Sequence, residues 1–331
     1  MSAETPMVTT PAAGVIHDLG YRGYDGPRLG RRQIVTALAW HSFRSAFGFG
    51  RGAKAKILPV IAIVVLLLPA VINAYAMSQG QHRLVPYDTY RSQLRVLVMA
   101  IFVAVQAPEL VSRDLRSRVL PLYFSRPIKP TDYPLAKYVA FTAACLVMME
   151  VPLLVLYVGS IANVHGGSAV WAETRALIPG LLIGLMWAVV LAAIGLFLAS
   201  LTGRRGYASG LVAIFFLLTF TLSEILLQVE SGPIRVVGPG GPPTGPGGSI
   251  GPIGPPPVPV PDMAEKVAGL FSPFTLFDGV RQWLGGVWTP GNSLGVEPPG
   301  GFGAVYALVL LAVLAVCIVG LVARYRKAAL S

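Results

Sequence analysis

Charged residues are scarce in this sequence. Only 12% of its 331 residues are Asp, Glu, Lys or Arg, whereas 54% are hydrophobic, and the mean hydropathy is +0.66. Ordinary soluble domains contain about 25% charged residues. The composition therefore excludes a typical soluble domain and indicates an integral membrane protein.

Cysteine and the common catalytic motifs are also scarce or absent. The two cysteines, Cys145 and Cys317, lie within apolar runs and outside any Cys/His cluster, so they predict neither a redox centre nor a metal site. None of the six lysines follows a glycine, which excludes the Gly-Lys-Ser/Thr loop that binds nucleotide phosphates. We therefore expect no enzyme activity and no cofactor in this chain.

Long apolar runs are what the sequence has instead. A helix of about 20 apolar residues crosses a bilayer, and six stretches approach or exceed that length: 57–77, 96–110, 138–162, 177–201, 207–227 and 302–323. The second is the shortest, and we expect Pro108 and Glu109 to end it, so it either starts earlier, near Gln93, or breaks before it reaches the far side. The sequence thus predicts an all-α fold with a six-span domain at 57–323, an N-terminal segment at 1–56 and a tail at 324–331.

The basic residues predict the orientation of these spans. If the spans alternate in direction, 19 of the 26 Lys and Arg residues fall on the side of the termini and 7 on the other. Connections rich in Lys and Arg stay in the cytoplasm, so both termini are predicted to be cytoplasmic in a multi-pass protein. The net charge of +11 then reflects topology, and we expect no nucleic-acid partner.

Two further segments flank the spans. Residues 31–49 place Trp40, Phe43 and Phe47 at helical spacing among arginines, which predicts an amphipathic helix on the cytoplasmic membrane surface or, alternatively, a simple extension of the first span. On the outer side, 18 of the 24 residues at 238–261 are Gly or Pro, which predicts a loop without regular structure. Aromatic-rich short helices are expected at 262–288, where Phe277, Val280 and Leu284 recur at helical spacing.

Glu150 lies near the middle of the third predicted span, and Glu224 lies near the outer end of the fifth. An ionisable group inside a membrane costs at least a few kcal/mol unless it faces protein or water. Each side chain is therefore either part of a polar pathway or a protonated group bonded to a neighbouring helix, and the sequence leaves both interpretations open.

The densest cluster of charge, proline and aromatic residues lies between the second and third spans, at 112–137. Its charged part is predicted to form a short helix, and an apolar run with two prolines follows. A charged turn alone does not require three large apolar side chains beside the bilayer, and aromatic residues with arginine are common anchors of protein contacts. Attachment to the lipid interface is the alternative. The predicted contact residues are Arg113, Asp114, Arg116, Arg118, Leu122, Tyr123, Phe124, Arg126 and Pro127.

This loop resembles the coupling loop of the membrane subunits of ABC-2 type transporters. The matching residues are Ser125, Arg126, Pro127 and Ile128, followed by Lys137 at the start of the third span. The order of an amphipathic helix, six spans and the segment LFSPFTLFDG (270–279) is also similar to the family. The stretch Arg116-Ser117-Arg118 departs from the acidic-Arg-Gly sequence of many relatives.

The resemblance implies an ABC-2 (type V exporter-like) fold with an N-terminal interfacial helix and a cytoplasmic coupling helix in a bacterial plasma membrane. It also implies a separate cytoplasmic ATPase that holds ATP and Mg, and a second permease that is identical or paralogous. The implied function is export of a hydrophobic or amphipathic substrate. The alternatives are a membrane anchor or assembly factor that recruits a cytoplasmic partner, or a secondary carrier that uses Glu150, although no inverted repeat is detectable.

Overall fold

The structure is a computed structural model, and it describes residues 26, 30–79, 93–117, 123, 127–164, 166–231, 266–267, 269–284 and 302–330. All regular secondary structure in this part of the chain is helical. The α-helices, numbered here in chain order, are α1 (Arg31–Ala46), α2 (Lys54–Ser78), α3 (Gln93–Arg116), α4 (Asp132–Ile161), α5 (Gly167–Ser200), α6 (Arg205–Ser231), α7 (Pro273–Trp283) and α8 (Phe302–Leu330). A 3₁₀ turn, Gly269–Phe271, precedes α7.

Six of these helices, α2 to α6 and α8, are long and apolar enough to cross a membrane. They correspond to the six predicted spans, so the all-α membrane class is confirmed. The helices are longer than the apolar cores from which they were predicted; α5, for example, begins at Gly167 and not at residue 177. Polar and small residues continue a helix beyond its apolar part because the backbone hydrogen bonds do not depend on hydrophobicity.

The predicted end of the second span is wrong. Helix α3 continues through Pro108 and Glu109 to Arg116, so Arg113 and Asp114 lie on its last turns and not on a separate charged helix. Proline removes one backbone donor, but packed neighbours and local adjustments tolerate it within membrane helices. Glu109 is retained within the helix because two arginines from other parts of the chain contact its carboxylate.

The spans alternate in direction through the bundle. The C-terminal ends of α3 and α5 meet where Ser112 Oγ donates to the carbonyl oxygen of Ala199, and the end of α8 joins them through Arg324. The N-terminal ends of α2, α4 and α6 lie beside these residues. We call this the basal end, and α1 packs there against α3 and α4. The helix α1 and the C-terminal part of α8 therefore lie at the same end of the bundle.

Helix α1 is separate from α2, so it is not an extension of the first span. The turn between them contains Gly48 and Gly50 with φ of +78° and +79°, a conformation that favours glycine. A side chain at Gly48 would also collide with the backbone of Ala55. Of the predicted aromatic stripe, Phe47 packs on Phe102 of α3 with ring centroids 6.2 Å apart, whereas Trp40 remains 62% exposed.

The core of the bundle is built around α5, which packs against α3, α4, α6 and α8. Gly195 of α5 lies so close to α3 that a Cβ would overlap Val103 and crowd Ala107. Small residues allow this close approach between membrane helices. Helices α6, α8 and α2 bury the least of their apolar windows, at 17%, 22% and 28%. Their remaining apolar surface suits contact with lipid.

The predicted short helix before the last span is present as α7. Its Phe277 and Val280 are buried, and the ring of Phe277 stacks on Trp187 of α5 with centroids 4.7 Å apart. Leu284 follows the helix and is 69% exposed. Helix α7 thus lies at the end of the bundle and also packs into it through Phe277 and Val280. The predicted Gly/Pro loop at 238–261 lies outside the described residues.

Candidate functional site

The two helices that flank the 112–137 segment are joined by a polar cluster at the basal end. The ammonium group of Lys137 on α4 donates to Asp114 Oδ2 at 2.5 Å and to the carbonyl oxygen of Leu110 at 2.6 Å, both on α3. The hydroxyl of Tyr133, one turn earlier on α4, donates to the same carboxylate oxygen at 2.6 Å. A single acidic side chain thus binds two donors of the neighbouring helix.

This cluster continues into a group of three tyrosine rings. Tyr133 is fully buried, with its ring centroid 5.0 Å from that of Tyr123 and 5.6 Å from that of Tyr325 on α8. Tyr123 belongs to the loop and was predicted to contact a partner. It is half-buried here, so at least one face of its ring contacts this chain. The loop is therefore attached to the bundle near its middle as well as at its ends.

A second contact ties α1 to the start of α4. Arg31 donates from Nε and Nη2 to the two carboxylate oxygens of Asp132, each at 2.6 Å. The backbone N–H of Lys129 also donates to Asp132 at 3.0 Å. The hydrogen bond to Asp132 raises the pKa of the Arg31 guanidinium. This two-point contact orients α1 against the segment that leads into α4.

The charge cluster around Glu109 is one that sequence reasoning missed. Its carboxylate forms ion pairs with Arg51, in the turn before α2, at 2.7 Å, and with Arg205, the first residue of α6. The side chain of Glu109 is only 5% exposed, and that of Arg51 is 16% exposed. The sequence contains a signal for this cluster: Arg51 precedes the first span, Arg205 precedes the fifth, and Glu109 lies at the predicted end of the second. All three positions are predicted to lie on the same side of the membrane.

The structure describes only part of the predicted contact surface. Arg116 is exposed at the end of α3, and Pro127 is exposed just before α4. Asp114 is directed towards α4, as described above. Arg113 lies on α3, but its side chain is outside the described set, and four further predicted residues lie outside it entirely: Arg118, Leu122, Phe124 and Arg126.

Glu150, predicted to lie within the third span, lies on α4 and packs against Gly184 of α5. Its carboxyl group occupies the space that a side chain at position 184 would fill. Gly184 therefore makes room for this acid between the two helices. Glu224 lies on α6, and its side chain is not among those described.

An apolar cavity opens between α3 and α6. It has a volume of about 730 Å³, and the hydroxyl of Ser209 is the only polar side-chain group in its lining. The aromatic part of its wall consists of Phe216, Phe220 and Phe274. Pockets for small molecules typically measure about 300–1,000 Å³ and are mostly apolar. The cavity is thus suited in size and chemistry to a hydrophobic molecule or lipid chain.

The described residues contain no group of three or more His, Cys, Asp or Glu side chains that would hold a metal ion. No protein-family model matches the sequence, and no curated protein matches it either. The fold and the basal clusters therefore define an all-helical protein with six candidate membrane-spanning helices, and any more specific function rests on the geometry of the site.

Proposed function

We propose that this protein is the membrane-spanning permease subunit of an ABC-2 type transporter. In this proposal a separate cytoplasmic ATPase binds the 112–137 segment, and ATP hydrolysis drives export of a hydrophobic or amphipathic substrate. Two permease subunits, identical or paralogous, enclose the pathway. The basal end faces the cytoplasm of a bacterial cell, and this chain itself carries out no hydrolysis.

The observation that carries the proposal is the joining of α3 and α4 on either side of this segment. Lys137 and Tyr133 of α4 both bind Asp114 of α3, so a displacement of the loop acts on both helices together. Charge-assisted hydrogen bonds are short and directional, and Ser112 continues the connection to α5. An ATPase bound to this segment can drive transport only if its movement reaches the helices on both sides. Coupling between two sites requires an element with two conformations whose equilibrium is shifted from both sites.

Two further observations favour transport over simple anchoring. The apolar cavity between α3 and α6 is bounded by one of the two helices that the loop would move. An anchor has no need of such a cavity. The basic side chains at the basal end, among them Arg44, Lys54 and Lys327, favour a cytoplasmic location for that end, where an ATPase and its ATP are available.

The proposal is tested by isolating the tagged full-length protein from its native membrane in mild detergent and assaying ATP hydrolysis by what is bound to it. A stoichiometric ATPase whose rate responds to candidate substrates supports the permease. A bound partner without ATPase activity favours the anchor, and transport that follows an ion gradient without ATP favours the carrier.

The interface is tested with the double variant Leu122→Ala/Phe124→Ala, which spares Tyr123 because that residue packs against Tyr133. We expect it to reduce the recovered ATPase about tenfold, since aromatic and aliphatic anchors dominate such contacts. The matched control is Trp171→Ala, an aromatic residue that is 57% exposed at the opposite end. Equal recovery of the ATPase from the double variant and the control would exclude the 112–137 segment as its binding site.

A further inference from the structure

A second cavity lies at the basal end, between the turn before α2, the end of α3 and the start of α6. It has a volume of about 1200 Å³. Its lining carries four cationic side chains but a single carboxylate, that of Glu109. The four cations are Arg51, Lys54, Arg116 and Arg205. We call it the basic cleft.

The carboxylate does not neutralise the basic cleft. Glu109 is already bound to Arg51 and Arg205, and no ion pair of Lys54 or Arg116 with an acid occurs within the described parts of the chain. One guanidinium nitrogen of Arg51, Nη1, is buried and donates to no acceptor among the described residues. The cleft therefore offers donors and positive charge that this part of the protein does not use.

The backbone around the basic cleft is accessible as well. Gly50, Gly52 and Gly203 line it, and a Cβ at any of the three would meet no atom within 4 Å. Helix α2 begins beside them without an acidic residue in its first turn and without a side-chain cap. The N-terminal end of a helix carries a partial positive charge, which adds to the charge of Lys54. Each of these features favours an anion over a cation or a neutral group.

The position of the basic cleft identifies the source of the anion. It lies at the start of α2, where the charged end of the bundle meets apolar surface. Ile57, Val60 and Ile61, within two turns of Lys54, are each more than half exposed. A ligand that has a charged head in the cleft and hydrocarbon along α2 would satisfy both surfaces. Basic pockets between membrane helices bind anionic lipid headgroups in this way.

We propose that the basic cleft holds the phosphate group of an anionic membrane lipid. Lys54 and Arg116 supply the charge that no acid pairs within the described part of the chain, Arg51 supplies the buried donor, and the acyl chains follow the exposed face of α2. This site shares Ser112, Arg116 and Ser117 with the beginning of the 112–137 segment, and it is separate from the apolar cavity. It requires a membrane protein but not an ATPase, so it holds or fails independently of the proposed transport function.

The test uses the purified full-length protein in a neutral detergent and follows its thermal unfolding. Three probes are titrated separately: dioctanoyl phosphatidylglycerol, dioctanoyl phosphatidylcholine and inorganic phosphate. The test variant is Lys54→Gln/Arg116→Gln, which leaves the Glu109 contacts intact. The control is Arg326→Gln/Lys327→Gln, which removes the same charge from exposed positions of α8 at the same end.

We expect phosphatidylglycerol to raise the Tm of the wild type and the control saturably, with an apparent Kd at least tenfold higher in the test variant. Phosphatidylcholine should have no saturable effect. An equal Kd in the test and control variants would overturn the site, and an equal response to phosphatidylcholine would overturn its charge selectivity. Saturation by inorganic phosphate with no added effect of the lipid would assign the cleft to a free anion and overturn the lipid.

If the double variant does not fold, the exposed Arg116→Gln alone should raise the Kd about threefold, and an unchanged Kd overturns the proposal.

Discussion

The ammonium group of Lys137 lies 2.5 Å from the carboxylate of Asp114, and this contact joins the end of α3 to the beginning of α4. Lys137 is only 8% exposed. The same ammonium group also donates to the carbonyl oxygen of Leu110 on α3. The helices on both sides of the 112–137 segment are thus fixed to each other at its base.

Replacement of Lys137 should therefore destabilise the protein. Lys137→Met leaves a partly buried carboxylate without its cation, and we expect the free energy of unfolding to fall by about 1–3 kcal/mol. Equilibrium unfolding in SDS measures this change. Lys327→Met is the control, since that lysine is exposed on α8 and should cost no more than about 0.5 kcal/mol.

The double variant Lys137→Met/Asp114→Asn separates the pair from the individual side chains. If the two residues interact directly, the loss in free energy of unfolding in the double variant is smaller than the sum of the losses in the two single variants, by about 0.5–3 kcal/mol. Additive losses would show that the 2.5 Å contact contributes no coupling free energy.

Glu109 and its two arginines should contribute unequally to stability. Glu109→Gln leaves the mostly buried Arg51 without its anion, so we expect a loss of about 2–4 kcal/mol. Arg205→Gln should cost less than about 1 kcal/mol, because the side chain of Arg205 is 60% exposed and solvent screens its charge. Unfolding of both variants in SDS checks this order, and a larger loss for Arg205→Gln would contradict it.

The number and class of the helices were predictable from the sequence because hydrophobicity over about 20 residues is a local property. All six helices contain their predicted apolar cores to within one residue. The end of α3 was not predictable in the same way. Pro108 and Glu109 are local signals for a break, but the residues that retain Glu109 in the helix, Arg51 and Arg205, lie more than 50 residues away in each direction.

The candidate site was predictable only in part for the same reason. The sequence singled out the 112–137 segment and Lys137, since charge, proline and aromatic residues cluster there. It did not indicate that Asp114 binds Tyr133 and Lys137, or that Tyr123 packs on Tyr133. Aromatic and charged residues occur both at contacts with a partner and at contacts with a neighbouring helix. Only the packing of α3 against α4 shows which kind of contact each residue makes.

Close contact between α2 and α4 should depend on Gly159. A Cβ at this position would overlap the side chain of Ala74 and lie 3.2 Å from its Cα, which is backbone and moves only with the helix. We expect Gly159→Ala to lower the free energy of unfolding by about 1–3 kcal/mol, as overpacking does. Gly210→Ala on α6 is the control, because a Cβ there meets no atom within 4 Å and alanine favours helix by up to about 1 kcal/mol. Equal effects of the two substitutions would show that α2 and α4 have room to separate.

The proposed orientation predicts which positions react from outside the cell. Ser168 is exposed at the opposite end and Lys327 at the basal end, so Ser168→Cys should react with a membrane-impermeant maleimide in intact cells and Lys327→Cys only after permeabilisation. The wild type is the control, since Cys145 and Cys317 are buried and should not react. The opposite labelling pattern would place the 112–137 segment outside the cell. An ATPase in the cytoplasm would then have no access to the contact between Asp114 and Lys137, and the permease proposal would fail together with the orientation.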